Sequence, residues 1–146
     1  MPDLHALIPA AMFKVIAAVS LSTLIASSGY AQQAPRLGCL RNLSQDWEEG
    51  VSSLTLFRSG SECALFLEET GARERVLVNV NGRQINLQRV GRSDVFRSAD
   101  RATEVRLSIR YRDSDGGDCS EASGNMTVAQ RGRRGSARVV GRHCSF

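Results

Sequence analysis

The chain has 146 residues, 19 of them basic and 15 acidic, with a net charge of +4 and an aromatic content of only 5%. This length suits one domain with one core and leaves no room for two once an N-terminal leader is set aside. The single lysine is Lys14, so everything beyond the leader lacks both a Schiff-base nitrogen and a lysine general base.

Lys14 precedes an apolar run, Val15 to Ala26, and small residues follow, with Gly29 and Ala31 at positions −3 and −1 of a cut after Ala31. The run is about twelve residues against the roughly twenty that a spanning helix needs. Residues 1–31 therefore read as a cleaved secretory peptide, 32–38 as a linker containing Pro35, and 39–146 as a single β-domain, periplasmic or secreted and not membrane-spanning. Cys39 does not read as a lipid-attachment site, because Arg36 stands where an aliphatic residue is required.

All four cysteines, Cys39, Cys63, Cys119 and Cys144, lie beyond the leader. An even count in an oxidising compartment predicts disulfides. No pair has C-x2-C spacing, and His143 is the only histidine beyond the leader, which argues against a metal centre. Nothing implies a cofactor.

Asn42 to Gly50 is polar, with no helical repeat beyond a single turn. Strand signals then follow over Val51–Arg58, Cys63–Glu69, Arg75–Val80, Arg83–Val90, Glu104–Arg112, Asn125–Gln130 and Ala137–His143, with Val95–Arg97 as a short extra strand. The expected fold is all-β: an antiparallel sandwich or flattened barrel of seven to eight short strands stapled by two disulfides. Glu104–Arg112 alternates strictly, Val105, Leu107, Ile109 and Tyr111 on one face and Glu104, Arg106, Ser108, Arg110 and Arg112 on the other. Asn81-Gly82 is a two-residue hairpin turn, which sets Val80 opposite Arg83, Val78 opposite Ile85 and Val76 opposite Leu87. A turn over Arg131–Gly135, centred near Arg133, would bring Cys119 and Cys144 together at the open end of the last hairpin. That favours Cys119–Cys144 and, with it, Cys39–Cys63.

The acidic loop Asp113, Ser114, Asp115, Gly116, Gly117, Asp118, with Glu121 beyond, supplies oxygens of the kind calcium takes, but its Asp and Gly residues equally suit a solvated turn, and no metal is assigned. Arg131, Arg133, Arg134, Arg138 and Arg142 form a second cluster, with no acid anywhere after Glu121. They are the candidate binding residues for an envelope component or secreted protein of anionic character, although charges also guard edge hairpins against aggregation. Nucleic acid is not the expected partner, since stacking needs aromatics and only Trp47, Phe57, Phe66, Phe96, Tyr111 and Phe146 remain. Acid–base candidates reduce to His143 with Ser145, and to Glu68 and Glu69, which as neighbours on a strand face opposite sides. No enzyme is expected. Phe146 is a terminal aromatic of the sort that ends outer-membrane barrels, but six- to eight-residue strands are too short to span.

Val76–Leu87 (VLVNVNGRQINL) and Gly124–Cys144 (GNMTVAQRGRRGSARVVGRHC) together resemble a pattern in small exported β-domain proteins of Gram-negative bacteria, which often finish with glycine and cysteine after a valine-rich strand. A fainter resemblance is to the periplasmic inhibitors of c-type lysozyme, disulfide-bearing β-barrels; their serine-glycine loop and lysine motif are not visible here, and no inhibitory residue is carried over. The expected function is a non-enzymatic binding domain of the bacterial cell envelope, with inhibition of a cell-wall hydrolase such as lysozyme, or immunity to one, as the alternative.

Overall fold

The computed structural model describes residues 33–43, 49–114 and 116–145. The leader lies outside them, as do Trp47, Asp115 and Phe146. Nine strands follow in chain order: β1 (Leu37–Gly38), β2 (Val51–Arg58), β3 (Ala64–Gly71), β4 (Arg75–Val80), β5 (Arg83–Arg89), β6 (Val95–Arg97), β7 (Thr103–Asp113), β8 (Cys119–Gln130) and β9 (Arg133–Ser145). Eight close into an antiparallel barrel in the order β4, β3, β2, β9, β8, β7, β6, β5 and back to β4. Short β1 is the extra strand, with Leu37 opposite Val80 and Gly38 opposite Asn79; it lies in the stretch read as a linker.

Alternation decides what fills the barrel. Leu54 and Leu56 from β2, Val76, Val78 and Val80 from β4, Leu87 from β5, Val105 and Leu107 from β7, Met126 and Val128 from β8, and Ala137 and Val139 from β9 all turn inward into one core. On β3 the register shifts between Leu56 and Phe57, leaving Leu65 as a bulge residue. The bulge lets the adjacent Leu65 and Phe66 both enter the core, which strict alternation forbids. Phe66 meets Phe96 edge-on, ring centroids 5.0 Å apart, and both are fully buried.

β3 and β4 are buried on their outer face as well. Leu67 and Leu77 point outward and pack with Ala64 under Leu40, with Leu43 and Phe57 alongside. Three contacts hold the N-terminal segment there: the Cys39–Cys63 disulfide, the bond from Leu40 N–H to Ala64 C=O at 2.7 Å, and the Asn79 Nδ2 donor to Cys39 C=O at 2.8 Å.

Asn81 and Gly82 both have positive φ, 54° and 80°, and the three register pairs expected across that turn are present. The last hairpin needs a correction. Its turn is the two-residue Arg131-Gly132, φ 50° and 73°, with Gln130 opposite Arg133, so Arg133, Arg134 and Gly135 belong to β9 and the centre precedes Arg133. Arginine in a positive-φ turn position carries no local signal, which is why a longer turn is the natural expectation. Cys119 still falls directly opposite Cys144, and both expected disulfides form.

β7, β8 and β9 run 11, 12 and 13 residues, longer than expected. Their faces are the reverse of a lipid-embedded barrel: the interior is packed with apolar side chains, while Arg106, Ser108, Arg110, Arg112, Asn125 and Arg138 look outward and are exposed. Among the described residues no helix is long and apolar enough to cross a membrane.

Replacing both cysteines of one bridge by serine should lower unfolding free energy by about 3 kcal/mol for either bridge, since the closed loops are nearly equal, with sequence separations of 24 and 25. Urea denaturation reads this. The Cys39→Ser, Cys63→Ser variant should in addition raise proteolysis of the segment around Leu40, whereas the Cys119→Ser, Cys144→Ser variant should not.

Candidate functional site: an arginine face and a polar barrel mouth

Outward alternation on β7, β8 and β9 places side chains from three strands in rows. One row runs Arg112, Glu121, Arg142; the next Arg110, Ser123, Val140; the next Ser108, Asn125, Arg138. With strands about 4.8 Å apart, Arg112 and Arg142 stand roughly 10 Å from each other across β8. Across this face lies an open groove of about 690 Å³, lined by Arg110, Arg112 and Arg142, by Phe57, Tyr111 and Val140, and by the Glu121 carboxylate between Arg112 and Arg142. Val140 is 40% exposed, an uncommon exposure for a branched apolar side chain on a strand. Only glycine fits at position 141, where a Cβ would stand 1.9 Å from the Thr55 carbonyl oxygen of β2.

Arg75 pairs with Glu69, Arg89 with Glu68 and Asp94, and Arg97 and Arg106 with Glu104. Arg110, Arg112, Arg138 and Arg142 make no ion pair among the described residues. Arg58, Arg83, Arg92, Arg101, Arg131, Arg133 and Arg134 also lack an ion pair among the described residues, so this face is marked by the density of its arginines in adjacent rows. Of the arginines expected from sequence to act together, Arg134, Arg138 and Arg142 share the outer face of β9. Arg131 sits in the turn and Arg133 at the start of β9, at the far end of the hairpin. Arg110 and Arg112 belong with Arg138 and Arg142 and were not grouped with them by the sequence. Their signal was present, since both lie on the wet face of the alternating β7, but only the β7–β8–β9 register joins them to β9.

A different chemistry occupies one mouth of the barrel. Glu68 faces inward, its side chain 8% exposed, and takes three bonds from Arg89: Nε at 3.0 Å and Nη2 at 2.8 and 2.7 Å. Arg89 Nη1 donates to the Ser93 carbonyl at 2.9 Å, and the guanidinium lies 4.7 Å from the Phe96 ring centroid. Burial lowers the Arg89 pKa, but the bonds and charges of Glu68 and then Asp94 together outweigh it and the net direction is upward. Nearby, burial and then the charges of Asp94 and Glu68 push the Tyr111 phenol pKa up. His143 Nε2 is 3.0 Å from Ser52 Oγ, and its ring meets Tyr111 edge-on at 5.8 Å. The Ser52–His143 distance is that of a nucleophile and base. However, the carboxylates at this mouth, Glu68 and Asp94, are both paired with Arg89, and no acid orients the other ring nitrogen among the described residues. Glu69 faces the other side of β3, where Arg75 binds it, so Glu68 and Glu69 form no dyad.

Among the described residues no three or more His, Cys, Asp or Glu side chains gather to hold a metal. In the acidic loop Ser114 Oγ donates to the Cys119 carbonyl and Ser145 N–H to the Asp118 carbonyl, the internal bonding of a turn.

Comparison of the chain with protein-family models, curated proteins and solved structures returns no match.

Arg89→Met leaves the Glu68 carboxylate buried without its cation and should cost about 2 kcal/mol in urea denaturation, a value discounted because Arg89 is 35% exposed. Glu68→Leu with Arg89→Met should recover at least half of that loss. Acid stability has its own signature. Bonds from Arg97 and then Arg106 hold Glu104 below the ordinary 4.5, and bonds from the Ser98 hydroxyl and Ala102 N–H hold Asp100 below 3.8. A depressed carboxylate contributes stability above its unfolded pKa and loses it as pH falls through the folded one. The melting temperature should therefore decline from the low fours downward, and less steeply in Glu104→Gln.

Proposed function

We propose that this chain is an exported, non-enzymatic binding domain of the cell envelope, acting through the arginine face of β7, β8 and β9 on an anionic partner. One observation carries the reading: Arg110, Arg112, Arg138 and Arg142, from two strands, stand in adjacent rows on one outer face with no ion pair among the described residues, and three of them line a groove that also holds Phe57, Val140 and Glu121. A planar guanidinium with free donors is suited to bidentate capture of carboxylate or phosphate. Val140 and Phe57 add contact area that charge alone does not give. Two disulfides within so small a barrel accord with an oxidising compartment, and the leader-like N-terminus with export. Binding rather than catalysis is favoured because the Ser52–His143 pair lacks an orienting acid and Glu68 is already occupied.

The test is retention of proteins from periplasmic extract on the immobilised, disulfide-intact domain, over a salt gradient. Wild type should retain an acidic partner that elutes with added salt, as screened charges do. Arg138→Glu with Arg142→Glu should reduce its binding about tenfold or more while the melting temperature holds. Equal retention by the variant would remove this face from the function. Retention of a lysozyme-like hydrolase would identify the partner as the target of an inhibitor.

A further inference from the structure

β6 has three residues and its neighbour β7 has eleven. Their ladder covers only Glu104 to Arg106, and the last bond between that side and β7 is Leu107 N–H to Asp94 C=O at 2.9 Å. Beyond it, Ser108–Asp113 pairs with β8 on one side and, among the described residues, with no strand on the other. Closing a barrel normally removes every edge. Here half of β7 remains one.

The direction of the backbone groups follows from the bonds already made. Thr103 C=O accepts from Ser98 N–H and Leu107 N–H donates to Asp94, both on the side away from β8. Groups two residues apart along a strand point the same way. Ile109 and Tyr111 therefore turn N–H and C=O into the open edge. Beside it stand two kinds of side chain. Arg110 and Arg112 look outward, exposed and without an ion-pair partner among the described residues. Ile109 is partly buried against the core, and Tyr111 is 54% exposed, the most exposed of the barrel's large apolar side chains.

We propose that the open edge of β7 from Ser108 to Asp113 receives an extended acidic segment of a partner protein as an added strand. The partner's acidic side chains alternate toward Arg110 and Arg112, and its apolar ones toward Ile109 and Tyr111, so the segment reads acidic-apolar-acidic-apolar. This rests on the arginine-face reading and names its partner class. Charge selects against a second copy of this chain, since two such edges would set arginines against arginines. A purely charged polymer would use the guanidinium groups and leave the Ile109 and Tyr111 backbone groups unpaired.

The probe is a short synthetic peptide of alternating glutamate and valine. Its control has the same sequence with alternate backbone nitrogens methylated, which keeps the charge and cannot complete a ladder. With the disulfide-intact domain, the plain peptide should slow hydrogen exchange of the Ile109 and Tyr111 amides about tenfold or more. The methylated peptide should bind about tenfold more weakly. Tyr111→Pro should weaken binding well beyond Tyr111→Ala at unchanged melting temperature, because the lost N–H has no partner in the barrel; if that variant does not fold, the methylated control still decides. Equal affinity for the two peptides, or unchanged exchange at saturation, overturns strand addition while leaving the arginine face intact as a charge-only surface. Absence of peptide binding overturns it too, and the periplasmic retention experiment then judges the arginine face separately. A wild-type dimer in sedimentation that Tyr111→Pro splits overturns it in favour of a second copy, and resistance to peptide with aggregation of Arg110→Glu, Arg112→Glu would show the arginines to be edge guards alone.

Discussion

The contact between Phe66 and Phe96 joins opposite walls of the barrel, β3 and β6, through two fully buried rings 5.0 Å apart. An edge-to-face pair of this kind contributes about 0.5–1.5 kcal/mol beyond the area it buries. Its larger consequence is positional. β6 is only three residues long and has two ladder pairs with β5 and three with β7, so its backbone bonds alone hold it weakly. Phe96 anchors it, and the Arg89 guanidinium lies over that ring and reaches Glu68. The ion pair at the barrel mouth is thus seated on an aromatic floor, where partial burial strengthens it and stacking limits its freedom.

A core with few aromatics must find apolar area elsewhere, and β3 and β4 supply it by being buried on both faces. Inward they complete the barrel; outward Leu67 and Leu77 are covered by Leu40 and its neighbours. The Cys39–Cys63 bridge keeps that cover in place without any long secondary structure of its own. The same bridge thus does two things, restricting the unfolded chain and closing a second, smaller apolar cluster.

The opposite side of the barrel is built on other terms. β7, β8 and β9 extend beyond their short neighbour β6, and their outer face is polar, cationic and grooved at Gly141. The extra strand length adds Ile109 and Ala122 to the packed interior and creates both the arginine rows and the unpaired half of β7. Charges beside an open edge also keep it from pairing with other chains. The proposed binding surface draws on both features.

Much of this architecture could be read from residues alone. Strict alternation in β7, the Asn81-Gly82 turn and the even cysteine count are local patterns, each tied to a period, a φ preference or a redox rule, and they lead to an antiparallel all-β domain with both disulfide pairings. The Arg131-Gly132 turn was not legible, because arginine has no preference for positive φ and only the ladder from Gln130–Arg133 to Cys119–Cys144 imposes it. Nor was the bulge at Leu65, which appears as an ordinary member of an apolar run until two strands are aligned. Closure as a barrel, the union of Arg110 and Arg112 with Arg138 and Arg142, the meeting of Ser52 with His143, and the grip of Arg89 on Glu68 depend on which strand lies beside which. Those pairings join residues up to 93 positions apart, and no local period carries information over that distance; only the packing of the closed sheet does.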